Sequence, residues 1–202
     1  LGLRLAEEGA SILDVGGEST RPGSASVSED EECRRVLPVI EALAVRLDIP
    51  VSIDTRKPGV AKRARQAGAT MLNDVAGLRE SGMIEAALDF PEVVVMHMQG
   101  EPRSMQEAPR YRDVVEDVLD FLRGRIDAFQ RAGGDPGRVL VDPGIGFGKD
   151  HGHNLEILRR LEEFQSLGRP VVLGASRKSF IGRVPAEASA GRPGVEPRPP
   201  EE

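Results

Sequence analysis

The chain has 202 residues, 39% hydrophobic and 30% charged, enough for one sizeable α/β core and too few to demand two domains. A formal charge of -6, a pI near 5.3, one tyrosine and no tryptophan argue against a nucleic-acid surface, so the expected partner is a small molecule. Cys33 stands alone, which excludes a disulfide framework. No apolar run approaches the roughly 20 residues that span a bilayer and no signal-peptide pattern opens the chain, so a reducing, cytoplasmic location is expected.

Leu1 to Gly9 has helical spacing and a closing glycine. It opens inside a helix-like segment and without methionine, so a start further upstream is expected. Ile12, Leu13 and Val15, interrupted by Asp14, predict a buried strand that ends in the loop GGESTRPGS. Ser28, with Glu31 three residues on, resembles a capping box for a helix carrying Val36, Val39, Ile40, Leu43 and Leu47, with Pro38 as a local irregularity. Val51 to Asp54 predicts a strand ending in an acid, and Pro58 fits the first turn of a helix to about Ala67 that Gly68 closes. Met71 to Asp74 predicts a strand, Ser81 to Leu88 a helix, and Val93 to Met96 a fully apolar strand with His97 at its end. A loop from Gln99 to Tyr111 leads to a long helix, Val114 to about Ala132, stopped by Gly133 and Gly134. Val139 to Asp142 predicts the next strand. The glycine-rich PGIGFGKD follows, then a helix from Asn154 to Phe164, a strand at Val171 to Leu173, and Ser176 as the N-cap of a helix starting at Arg177.

About six β/α repeats with continuously apolar strands predict a parallel sheet covered by helices, either a (β/α)8 barrel lacking about two units or an open doubly wound sheet. Arg183 to Glu202 is rich in proline without periodicity and is expected to be disordered, which leaves one domain over 1–183 and a tail over 184–202. Asp14, Asp54, Asn73, His97 and Asp142 fall at or near the C-terminal ends of predicted strands, with Arg177 and Lys178 soon after the last. In a parallel α/β fold those ends share the ligand-binding face. Carboxylates, a carboxamide and a lysine on one face suit a flat heterocycle with amino and carbonyl groups.

Each of these residues also has an ordinary structural use. Asp54 and Asp142 could be helix caps or Asp-Pro turn residues, Asn73 a satisfied core amide, Met96 and Phe147 plain core, and Lys178 a solvated charge. Their recurrence on one face favours a site, with Asp14 placed behind the ligand-facing groups. His97, His151 and His153 have no further spaced ligand to make a zinc site. Pro143 and Asp150 stand where a phosphate-binding loop needs glycine and Ser or Thr, so that reading is rejected.

DVGGESTRPG, SIDTRKP, NDVAG, VVVMHMQG, VDPGIGFGK and GASRKSFIG, in this order, resemble the dihydropteroate synthase family of pterin-binding enzymes from Leu1 to about Arg183. The resemblance implies a (β/α)8 TIM barrel, here incomplete, with the first and last strands missing. It implies condensation of 6-hydroxymethyl-7,8-dihydropterin pyrophosphate with p-aminobenzoate, giving 7,8-dihydropteroate and pyrophosphate in folate biosynthesis. Asp54, Asn73, Met96, Asp142, Gly174 and Lys178 would line the pterin pocket, with Asp54, Asp142 and Lys178 acting in catalysis. Thr20, Arg21, Pro22, Phe147, Ser176 and Lys178 would hold p-aminobenzoate, the sulfonamide-competitive substrate. Mg²⁺ is implied by the family, but its usual asparagine ligand belongs to a strand this chain lacks, so no metal ligand is assigned; the chain is expected to bind pterin with little turnover. A homodimer is left open, and neither nucleic acid nor membrane is an expected partner. Two other readings are a methyltetrahydrofolate-binding barrel of a corrinoid methyltransferase, which should lack the TRPG and SRKS segments, and a non-catalytic pterin-binding remnant.

Overall fold

The structure is a computed structural model that describes residues 1–20, 24–100, 105, 108–176 and 178. Five parallel strands form one sheet: β1 (Leu13–Gly16), β2 (Val51–Asp54), β3 (Met71–Asp74), β4 (Glu92–Met96) and β5 (Val139–Asp142). The helices are α1 (Gly2–Glu7), α2 (Glu29–Ala44), α3 (Pro58–Gln66), α4 (Met83–Ala87), α5 (Val114–Arg131) and α6 (His151–Arg159). Each strand pairs with its successor in the chain, in the order β1-β2-β3-β4-β5. A doubly wound sheet reverses its order at a switch point, whereas strictly sequential parallel strands are an arc of a (β/α)8 barrel.

The two faces of the arc differ in chemistry because side chains alternate along each strand. Leu13, Val51, Ile53, Leu72, Val93, Val95, Val139 and Val141 pack with the helices in one large core. That core also holds Val36 and Ile40 of α2, Val60 and Ala64 of α3, and Leu122 and Phe129 of α5. Asp14, Ser52, Asp54, Asn73, Met96 and Asp142 alternate with those residues and belong to the opposite, concave face. Register sets Gly16 beside Asp54, Asp54 beside Asn73 and Met96 beside Asp142, so the concave polar groups collect at the C-terminal ends.

Several elements differ from expectation for identifiable reasons. β1 is an edge strand among the described residues, so Ile12 is exposed and Val15 only half-buried. Ser28 caps α2 through the Glu31 amide, but the Glu31 carboxylate turns to Arg34 and Arg35 and the capping box is half made. Gly82, at φ 83°, lies outside helical space and delays α4 to Met83. α6 starts three residues before the expected Asn154, because Asp150 and His153 cap it reciprocally. It stops at Arg159, and a 3-10 turn over Leu161–Leu167 takes the rest; Arg160, at the break, binds Glu163 and the α5 cap Asp113. The expected strand Val171 to Leu173 is reduced to one bridge, Val141 to Val171. The helix expected from Arg177 and the tail from Arg183 lie outside the described residues.

Candidate active site

Three acids and an amide line the concave ends of β1 to β3 and β5. Asn73 Nδ2 donates to Asp14 Oδ2 at 3.0 Å, bridging over β2, so Asp14 orients the carboxamide. Asp54 lies between them in the sheet order. Burial, and then the charges of Asp14, Asp74, Glu32 and Glu18, push its carboxyl up to about 8. In this arrangement the neutral carboxyl of Asp54 is favoured near pH 7.

Asp142 closes β5. Its Oδ1 accepts the Gly144 amide at 2.7 Å. Burial raises its pKa, while the Gly144 amide and the charges of Lys178 and Lys149 oppose the rise. Lys178 donates its ammonium to the Ile145 carbonyl and stands 4.6 Å from the centre of the Phe147 ring, a cation-π distance. Burial lowers its pKa. A side chain on Gly174 would reach to 3.7 Å from Lys178 Nζ, so glycine leaves that approach open. The apolar wall is a separate cluster of Val75, Met96, Met98 and Met105 with Phe147 against it. Methionine thioethers adapt to a flat ring, and the alternation of Met96 and Met98 was the unused sequence sign of this wall.

Of the residues expected to hold the second substrate, the structure brings Phe147 and Lys178 together. Thr20 is half-buried, Ser176 is exposed in a turn, and Arg21 and Pro22 lie outside the described residues. The segment leading to them is fastened by a charge cluster the sequence reading missed. Glu18 binds Lys57 and Arg56, and Lys57 also binds Glu32, which is 1% exposed. Glu18 further accepts the Val27 amide, and Arg35 donates to the Gly17 carbonyl. On the other side of the site, Asp74 accepts the amides of Ala76 and Leu78, and Arg125 of α5 holds the carbonyls of Gly77 and Leu78. These bonds fix the loop after β3, whose Val75 packs with Met96 in the apolar wall.

Among the described residues no three His, Cys, Asp or Glu side chains converge as a metal site requires. His97 is buried, and His153 serves as the reciprocal cap of α6. No described helix is long and apolar enough to cross a membrane. A groove lined by Glu116, Leu119, Asp120, Arg123, Glu163 and Ser166 carries none of the groups above.

The model of the pterin-binding enzyme family matches residues 2–198, beyond Arg183, where the recognised motifs end. The chain belongs to this family. Within it, the chain is 46% identical to the dihydropteroate synthase of Escherichia coli K12 over 188 residues, 91% of this chain and 67% of that protein. It is 42% identical to the Bacillus subtilis enzyme over 89% of this chain and 61% of that one. Its fold superposes on dihydropteroate synthase of Yersinia pestis, solved with a sulfonamide drug, at a TM-score of 0.87 and 44% identity. It superposes on the Xanthomonas albilineans enzyme, solved with 4-aminobenzoic acid, at 0.84 and 49% identity. The chain covers 66% of each of those two structures, so it spans about two thirds of the length of these pterin-binding relatives. The match confirms the barrel and sets aside the doubly wound sheet. It also favours dihydropteroate synthase over the corrinoid methyltransferase reading.

Proposed function

We propose that the chain binds a 6-hydroxymethyl-7,8-dihydropterin pyrophosphate on the concave face and carries out dihydropteroate synthesis with p-aminobenzoate. The observation that carries this reading is the grouping of Asp54, Asn73 and Asp142 on one face of the arc, with Lys178 coupled to Asp142 and held beside Phe147. Carboxyl and carboxamide groups there match the N–H and C=O edge of a pterin, and the methionine wall with Met96 matches its ring face. Relatives have been solved with 4-aminobenzoic acid and with 7,8-dihydropteroate, which supports the same substrates here.

In the reaction the methylene C–O bond breaks, pyrophosphate leaves with the electron pair, and positive charge spreads into the pterin ring. A carboxylate at Asp142 would stabilise that charge, and Asp54 would join it once its proton has passed to water. The aromatic amine, already neutral at pH 7, attacks the methylene carbon and then loses one proton. Lys178 and Phe147 are placed to orient the second substrate, with Thr20, Arg21, Pro22 and Ser176 completing that subsite, and sulfonamides would compete there. Mg²⁺ is the family's metal, but the described side chains do not make a site for it, so no step is assigned to it.

Calorimetric titration with the dihydropterin pyrophosphate, followed by p-aminobenzoate and a turnover assay for dihydropteroate, tests the proposal. Micromolar pterin binding that Asp142→Ala abolishes is expected. Absence of pterin binding by the folded chain would refute it.

A further inference from the structure

One buried cation lies outside the groups assigned above. Lys149 is 2% exposed, and its ammonium sits in a cage made by two loops. It meets His97 Nδ1 at 2.9 Å and the carbonyls of His97, Gly144 and Phe147 at 3.3, 3.0 and 3.1 Å. The first two acceptors belong to the loop after β4 and the other two to the loop after β5. The loops are also in close backbone contact: a Cβ at Gly144, where φ is 70°, would collide with the His97 carbonyl, and one at Gly148 with the Gln99 carbonyl. His97 is held in turn by Phe121, edge-on at 4.9 Å, and by its own amide bonding the Asp142 carbonyl.

We propose that Lys149 is a positioning residue for pterin binding, clamping the Gly144–Phe147 turn to His97 so that Asp142, Ile145 and Phe147 are presented to the ligand and to Lys178. The turn donates the Gly144 amide to Asp142, offers the Ile145 carbonyl to Lys178, and places the Phe147 ring under the same ammonium. An ammonium has three donors that can serve convergent carbonyls, and a neutral side chain of the same length would leave buried acceptors unpaired. His97 accepts through Nδ1, which fixes its proton on Nε2; burial and the charges of Lys149 and Arg79 keep the ring neutral. The charged groups facing Lys149 are Asp142 from β5 and Lys178. Burial pulls the Lys149 ammonium down to about 7 and the charge of Asp142 opposes the fall, so below that pH the ammonium is a counter-charge to Asp142, and its loss alters the ionisation of Asp142 as well as the shape of the turn.

This inference rests on the pterin reading of the site, and its test separates the two. Lys149→Gln keeps hydrogen-bond donors and removes the charge. Pterin affinity at pH 6, where Lys149 carries its charge, is expected to fall about tenfold or more. The titration of the Asp142 carboxyl, followed by ¹³C NMR without ligand, is expected to move up, because the charge of Lys149 holds it down in the parent. Affinity within about twofold of the parent, or lost affinity with Asp142 unmoved, overturns the proposal, because a purely structural lysine would leave that titration alone. If Lys149→Gln does not fold, His97→Phe decides: it keeps the packing on Phe121, removes one acceptor, and should weaken pterin binding about threefold or more, unchanged affinity being the contrary result. If the parent chain binds no pterin, the functional reading fails and the Asp142 titration alone decides the role of Lys149.

Discussion

Asp54→Asn should stabilise the fold and weaken the site at once. The Asp54 carboxyl titrates at about 8 in the folded chain, against an ordinary value of 3.8. Between those values the folded state holds a proton that the unfolded state has released. Stability contributed by this residue is therefore lost as pH rises from about 4 to 8 and is flat beyond. A separation of about four units, at about 1.36 kcal/mol each, sets an upper figure of roughly 5 kcal/mol. Relaxation around a buried charge reduces what is measured, so a gain of about 2 to 5 kcal/mol is expected for Asp54→Asn at pH 8.5, shrinking to near zero at pH 4. Urea unfolding of parent and variant across that range reads the difference directly, and titrating groups remote from Asp54, such as Asp113, cancel in the comparison. Pterin affinity should fall in the same variant, because asparagine cannot become an anionic acceptor. A stability difference that does not change with pH, or a variant less stable throughout, would show that Asp54 is ionised and satisfied, and the account of the site would fail.

The protonated state of Asp54 also predicts that pterin binding near pH 7 releases protons, seen as different apparent enthalpies in phosphate and Tris; equal enthalpies would count against it. Asp142→Asn should weaken pterin binding by about 1.5 to 3 kcal/mol, whereas Asp14→Asn, acting through Asn73 and through its charge on Asp54, should cost under about 1 kcal/mol. Equal losses in two folded variants would mean that the order of these acids is misassigned. Lys57→Met strands the buried Glu32 without its cation, leaves Glu18 only Arg56, and should lower unfolding stability by about 3 to 5 kcal/mol. A loss below about 1 kcal/mol in urea unfolding would show that water already serves those carboxylates.

The strands were legible where a short apolar run ends in an acid or amide beside a turn. Val51–Asp54, Met71–Asp74 and Val139–Asp142 follow that rule, and their concave polar ends could be named before any coordinates. The start of α6 was not legible, because a histidine takes the place of the usual Glu or Gln in the cap that Asp150 forms with His153. The bond from Asn73 to Asp14 joins residues on β3 and β1, and the expectation that Asp14 stands behind the site came from its place at a strand end, not from a visible partner. The Lys149 cage was hidden for a stronger reason. Its acceptors are three main-chain carbonyls and one imidazole from two separate loops, and carbonyls have no signature in a sequence. The Glu18–Lys57–Glu32 cluster similarly looks like ordinary surface charge until α2 and α3 pack side by side. The ionisation of Asp54 depends first on burial and then on several acids brought near it, all of which only folding supplies.

Because every strand pairs only with the next in the chain, the sheet can assemble by successive addition, each step closing one loop. The closures are unequal. β2 meets β3 across the span from Ser52 to Met71, whereas β4 meets β5 across the longer one from Val93 to Val139. The longer loop adds only about 1 kcal/mol of closure entropy, but that difference sits in the folding barrier. Asp142, the turn to Phe147 and the seat of Lys178 all depend on that longer closure, so the lysine-bearing part of the binding face is joined to Asp54 and Asn73 by the most sequence-distant pairing of the sheet. Lengthening or cutting the chain between Val93 and Val139 would therefore separate the two halves of the site before it disturbed either one.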